Sequence, residues 1–554
     1  MPLIFHKGGL TVKKKDSYEL PNEVASMYQR GKLSRREFVR LSSILGLCGG
    51  VAATTGGLFF PQPALAAMPR RGGEIKISLP VLRVTHPSQA TWTPVSCITA
   101  PVAEYLTRVH GDGSVSGILL ESWKPSTDLK TWTLNVRRGV TFNNGDAFTA
   151  DDVIFTIKQW LDPAIQSSMI NYLGPYLSST DIEKTGSHQL KLHLKKARFA
   201  LPVHLAEFAA NILNHRTFEG DFIKAPHGTG PFTIETYRPG EVCIYKARPD
   251  YWAKGVDGKP LPYLDSIKFI DMGYDVTPKI AALKDGEINL IGLGGQEIMQ
   301  AFKNDSRFIS RSIETADTGV LRMRTDLKPW SDERVRLAFK NCQHREKILA
   351  LAVENMGLLG HDAHIFPKHP AYCKKPIPPY DPEKSRALLN QAGYPNGLEV
   401  TLNYHADTYD HVRYAKVLKE DCLAGGFKVT LNPTPEYWDK WTEYDLGITQ
   451  WIHNPIATTY LNVGYGVDQQ GKPLPWNETR WVDSEFQQLL EQARGILDAD
   501  ERRKVMCKLE DVMAQRGGIG ISYWTNKWWV IPENVHDIRI RADYLFELEK
   551  AWLS

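Results

Sequence analysis

The chain has 554 residues, with 67 Lys and Arg against 63 Asp and Glu, for a formal net charge of +4. Residues 1–66 hold nine of those bases and four of the acids, a net of +5, so the other 488 residues carry about −1. A near-neutral body offers no basic face for nucleic acid, and its length supports more than one lobe.

In chain order, the first informative feature is Ser34-Arg35-Arg36-Glu37-Phe38-Val39-Arg40, a twin-arginine export motif. A moderately apolar run over 41–60 follows, then Ala64-Leu65-Ala66, a cleavage triplet that puts the mature start near Ala67. Gly46, Gly49, Gly50, Gly56 and Gly57 interrupt the run, which reads as a signal (residues 1–66) rather than a permanent span. The bulky Leu47 beside Cys48 argues against a lipoprotein site. Alternation over 73–79 predicts a first strand.

Residues 119–163 are the densest stretch. Two strand-like runs flank Pro125-Ser126-Thr127-Asp128, which predicts a hairpin, and Asn144-Gly145-Asp146 predicts a second turn. Thr149 is the expected N-cap of a helix, with Asp152 completing an acidic capping box and Val153, Ile154, Ile157, Trp160 and Leu161 on its apolar face. Residues 189–194 alternate again. The glycines of Pro226-His227-Gly228-Thr229-Gly230-Pro231-Phe232 predict a sharp bend. No Gly-Lys-Ser/Thr follows, so this is not a phosphate loop. Asp381 with Pro382 opens a helix expected to bury Ala387, Leu388 and Ala392 and to stop at Gly393. Asp498 with Glu501 opens another, striped by Val505, Met506, Leu509 and Val512.

Chemically reactive motifs are thin. The sequence holds no G-x-S-x-G, H-E-x-x-H or Walker A string, and no paired carboxylates marked as acid and base, so no catalytic residue and no cofactor is assigned. His361, His364 and His369 have a spacing that could bring two imidazoles to one metal, but three histidines in a proline-containing loop read as solvated surface, and no metal is assigned. Cys97, Cys243, Cys342, Cys373, Cys422 and Cys507 form no C-x-x-C pair; an oxidising compartment permits disulfides, whose pairing the spacing does not define.

The strings Glu121-Ser122-Trp123, Thr131-Trp132-Thr133-Leu134, Arg138-Gly139-Val140-Thr141-Phe142 and Thr149-Ala150-Asp151-Asp152-Val153 together resemble the signature block of the family 5 (peptide/nickel) extracytoplasmic solute-binding proteins of ABC transporters. The segments around Tyr251-Trp252, Tyr263-Leu264-Asp265, Ala281–Leu290 and Pro329–Phe339 extend the resemblance over nearly the whole mature chain. The resemblance implies an α/β, two-lobed periplasmic-binding-protein fold (type II-like, cluster C) with an extra small domain. By that pattern 67–118, 226–314 and 520–554 form lobe I, 119–225 the small domain and 315–519 lobe II.

It further implies a monomeric periplasmic receptor that closes on a small solute (peptide-, opine- or oligosaccharide-like) and delivers it to an ABC permease in the inner membrane, with no bond broken. Alternatives are a ligand-loaded sensor for a membrane chemoreceptor, a nickel or metal-chelate binder and, least supported, a periplasmic hydrolase. The family's peptide binders often carry an aspartate in a loop that matches Thr449–Ile456 here; Trp451 is kept, but Asn454 stands where the acid is expected. A buried ammonium needs a compensating carboxylate, so Asn454 and the adjacent His453 point instead to neutral, hydroxyl-rich or anionic solutes. Arg324 could grip a carboxylate or phosphate if it faces the cleft. Trp92, Trp330 and Trp451 are the aromatic candidates for stacking. The expected solute-binding set is therefore Trp451, His453, Asn454, Arg324, Trp92 and Trp330.

Overall fold

The computed structural model describes residues 24–28, 30–31, 33–46, 68–110, 113–369 and 371–554. The expected cleavage triplet and Cys48 lie outside the described residues. Arg35 and Arg36 open the helix Arg35–Ile44, capped by the Ser34 hydroxyl, which accepts from the Glu37 amide at 3.2 Å. Its apolar stripe, Leu41, Ile44 and Leu45, is buried against the body. There the Trp123 indole donates to the Ile44 carbonyl at 2.7 Å, and the Val115 amide to the Ser43 hydroxyl at 2.8 Å. Among the described residues no helix is long and apolar enough to cross a membrane.

Three main sheets organise the rest. The first has five strands in the order Leu290–Ile291, Glu74–Ser78, Ser266–Ile270, Val242–Ala247, Phe232–Arg238, with Glu74–Ser78 parallel to both neighbours. The second is an antiparallel set of four, Leu120–Pro125, Thr131–Val136, Gln189–His193 and Ile182–Gly186. It is covered by the helix Ala150–Leu161, whose capping box forms as the sequence requires: Thr149 caps it, and Asp152 accepts from the Thr149 amide at 2.8 Å. The third has seven strands and contains the two longest, Phe308–Met323 and Tyr523–Pro532.

Those two strands connect the bodies. Phe308–Asp317 pairs antiparallel with Thr525–Pro532; after a register shift between Glu314 and Asp317 the same strand pairs with Leu446–Trp451 on one side and Ile519–Ile521 on the other. Val530 packs into the small core of Leu283, Ile291, Ile298 and Phe302, so the crossing pair is rooted outside the second lobe as well as in it. Where the strands cross, Lys527 Nζ meets Asp317 Oδ2 at 3.0 Å, both fully buried.

Some local expectations change. Gly228 and Gly230 are not at positive φ; they allow close approach, since a Cβ there would lie 1.9 Å from the Val102 carbonyl and 2.5 Å from that of Pro101. The helix Pro382–Gln391 buries Ser385 and Leu389 most deeply, with the expected Leu388 and Ala392 half-buried against the same core and Ala387 exposed, because it packs against the helix Glu333–Asn341 and the Gly425 turn. The helix Ala499–Arg516 buries the whole expected stripe. Cys373 is bonded to Cys507 on that helix, and Cys97, Cys243, Cys342 and Cys422 are free and buried.

Candidate functional site

Between the first and third sheets lies a cavity of about 240 Å³ lined by eight aromatic side chains: Trp92, Tyr172, Phe208, Trp438, Trp441, Trp451, Tyr460 and Trp476. Trp451 ends the central strand Leu446–Trp451, where the chain leaves the sheet and exposes only an edge of the ring. Its indole is edge-on to Trp441, Tyr460 and Trp476, with centroids 6.1–6.4 Å apart. Trp476 stacks on Phe208 at 6.4 Å and meets Tyr172 edge-on at 6.3 Å, which joins the second-lobe rings to those from residues 119–225. Trp92, at the N-cap of the helix Thr93–Thr99, closes the first-lobe side.

The second-lobe wall is held from behind by charge. Glu478, fully buried, accepts from Trp451 Nε1 at 2.9 Å and from the Thr449 hydroxyl at 2.7 Å, and pairs with Arg322 at 2.9 Å. Arg322 also donates to the backbone carbonyls of Trp441 and Tyr444. One guanidinium therefore fixes both the Trp441 loop and, through Glu478, the Trp451 indole. Burial raises the Glu478 carboxyl above its usual range, and Arg322 opposes that rise.

The floor is polar. His453 accepts the Ala316 amide on Nδ1 at 3.0 Å, which leaves its ring proton on Nε2; burial holds its pKa well below the ordinary value, so the ring is neutral. Asn454 donates from its side-chain amide to Glu207 at 2.8 Å, a contact between residues 247 positions apart. Asp543 also lines the floor, but Arg541 grips it with both Nε and a terminal nitrogen. A larger, more open cavity of about 620 Å³ lies on the far side of Glu207, Asn454, His453 and Asp543, with Arg311, Arg539 and Arg541 in its lining. The smaller chamber is the better candidate because eight rings line it and its polar groups converge at one end.

Of the six expected residues, Trp451, His453, Asn454 and Trp92 come together in this chamber. Two do not. Trp330 is fully buried in the second-lobe core, stacked on Phe427 at 6.4 Å and edge-on to Phe339 at 5.4 Å. Arg324 lies just past the end of the strand Phe308–Met323, turns to Asp326 at 2.7 Å and lines none of the described cavities; the buried arginine is Arg322, two residues earlier and inside the sheet. The three histidines are buried, not solvated, and each has a separate partner: His361 meets Glu510 at 3.1 Å, His364 the Tyr465 hydroxyl at 2.8 Å and His369 the Asn454 carbonyl at 2.8 Å. No group of three metal-ligating side chains occurs among the described residues. Sequence reasoning missed Glu207, Trp441, Trp476, Tyr172, Phe208 and Glu478; the paired tryptophans Trp438 and Trp441 were the one local signal.

The family profile "Bacterial extracellular solute-binding proteins, family 5 Middle" matches residues 114–471. The chain is similar to the "Di/tripeptide-binding protein 2" of Pseudomonas aeruginosa (strain UCBPP-PA14), 26% identical over 440 residues that cover 71% of this chain and 78% of the relative. In structure it is similar to the periplasmic binding protein AgaA from A. tumefaciens R10, solved with agropinic acid (TM-score 0.77, 22% identity, 87% of this chain and 99% of that one). It is likewise similar to the periplasmic binding protein DppA from Helicobacter pylori, solved with the peptide STSA (TM-score 0.76, 20% identity, 87% and 98%).

Proposed function

Because the chain belongs to the family 5 bacterial extracellular solute-binding proteins, we propose that it is a periplasmic receptor of an ABC importer. It captures a small solute in the aromatic chamber between its lobes and hands it, unaltered, to a permease in the inner membrane. The observation that carries this reading is the chamber itself: rings from both lobes and from the 119–225 segment converge on one cavity, while Glu207 and Asn454 touch across it. A solute there contacts both walls only when they are together, so occupancy favours the closed arrangement. The relatives' names speak for a peptide- or opine-like solute.

The rest of the reading extends from there. Export by the twin-arginine route is supported by the Ser34–Arg40 string, and the protein acts as a monomer. Lobe I comprises 67–118, 226–314 and 520–554, the small domain 119–225 and lobe II 315–519; the strands Phe308–Met323 and Tyr523–Pro532 form the hinge that crosses these boundaries. Trp451, His453, Asn454 and Trp92 contact the solute. A thermal-shift screen of peptides, opines, oligosaccharides and metal chelates tests the receptor: the true solute raises Tm because it binds folded protein only. A solute that is converted to product on incubation would sink it.

A further inference from the structure

Glu207 is the one chamber carboxylate that is both buried and without a cationic partner among the described residues. It is 8% exposed, and no Lys or Arg pairs with it. The neutral Asn454 amide donates to it at 2.8 Å. Around it stand Tyr172, His453 and Asp543, and the nearest guanidinium, Arg541, is engaged with Asp543. The chamber lining contains Glu207, Asp439 and Asp543 but neither Lys nor Arg, and His453 is neutral. The remainder of the wall is π-face and ring edge. A site with aromatic faces, an ionisable carboxyl and no cation has little to give an anion; it suits a weakly hydrated positive charge, which gains from the rings and, once it displaces the Glu207 proton, from the carboxylate.

We propose that the solute is an organic cation, a substituted ammonium with an apolar body and no carboxylate of its own, whose charged head lies against Glu207 beneath Trp451, Trp476, Tyr172 and Tyr460. This rests on the receptor reading and replaces the peptide- or opine-like solute that the relatives' names suggest. It also reverses the expectation drawn from Asn454: the acid missing from the second-lobe loop is supplied from the other wall by Glu207, to which Asn454 is itself bonded. A zwitterionic peptide would carry a carboxylate for which this chamber has no counter-charge.

The test is isothermal titration of the intact chain with tetramethylammonium, choline and phenethyltrimethylammonium, alongside 3,3-dimethylbutan-1-ol (the neutral isostere of choline), the dipeptide Ala-Phe and succinate. Small-angle scattering on each mixture reads lobe closure. At least one ammonium is expected to bind, with choline at least about tenfold tighter than its isostere. Glu207→Gln erases that preference without weakening the neutral ligand, and Glu207→Asp, which keeps the charge, retains it. Because burial lifts the Glu207 carboxyl to about 8, a permanent cation must displace its proton. Its affinity should therefore rise about tenfold per pH unit up to that value and level off above it. The inference is overturned if no ammonium binds, if the isostere binds as tightly as choline, or if Glu207→Gln holds choline as well as wild type. Closure on Ala-Phe or succinate alone would overturn it while leaving the receptor standing; no closure with any solute of this panel or of the wider screen would remove both.

Discussion

Glu478 stands behind one wall of the chamber and Glu207 stands in the other, and their surroundings differ in a single respect. Both are buried among aromatic rings, and burial pushes both carboxyls up. Glu478 has Arg322 at 2.9 Å; Glu207 has only neutral partners, the Asn454 amide and the Tyr172 hydroxyl. The first arrangement completes its charge internally and serves as a bracket for Trp451 and Trp441. The second holds a proton until a cation from outside displaces it. A buried carboxylate is thus structural or receptive according to whether the chain provides its partner.

The largest test of this contrast is Arg322→Met. It leaves Glu478 buried without its cation and should cost about 3–5 kcal/mol of stability in urea unfolding; loss below about 1 kcal/mol would show that Arg322 is not the bracket. Next comes Glu207→Gln, where the sign depends on pH. The folded carboxyl at about 8 lies above its ordinary 4.5, so the folded state holds more protons in that interval and stability falls as pH rises through it. Wild type and variant should match near pH 4 and diverge in favour of Gln by about 1.4 kcal/mol per unit until the folded value is passed. Parallel stability curves would place a hidden cation beside Glu207.

Trp451→Ala removes the bracketed ring and should weaken the true solute by about 2 kcal/mol, roughly thirtyfold, in calorimetry; unchanged affinity would relocate the site. Smallest is Arg324→Ala. Its partner Asp326 is substantially exposed, so about 1 kcal/mol of stability or less is at stake, with solute affinity unmoved.

Legibility followed distance along the chain. Caps, turns and the 119–163 hairpin depend on neighbours within a few positions, so Thr149, Asp152, Asp381 and Asp498 could be assigned from the residues alone. The chamber could not. Its rings come from segments near 92, 172, 208, 441, 451 and 476, and no periodicity links them. Arg322 and Arg324 share a strand face, and alternation does not distinguish a residue inside the sheet from one just past its end; the structure does, because the strand stops at Met323. Trp330 sits in a string that resembles the family pattern, and in this chain it is packed in the core. Asn454 was read by what it lacks, because its compensating carboxylate lies 247 positions away.

The strand Phe308–Met323 is laddered along most of its length, first to Tyr523–Pro532 and then to two other strands, with one interruption between Glu314 and Asp317. Under the proposed opening and closing, torsion would gather in that unladdered step, as in a stiff rod with a single compliant joint. Alterations confined to it would retune how quickly cargo is exchanged while leaving the preference among cargoes as it was.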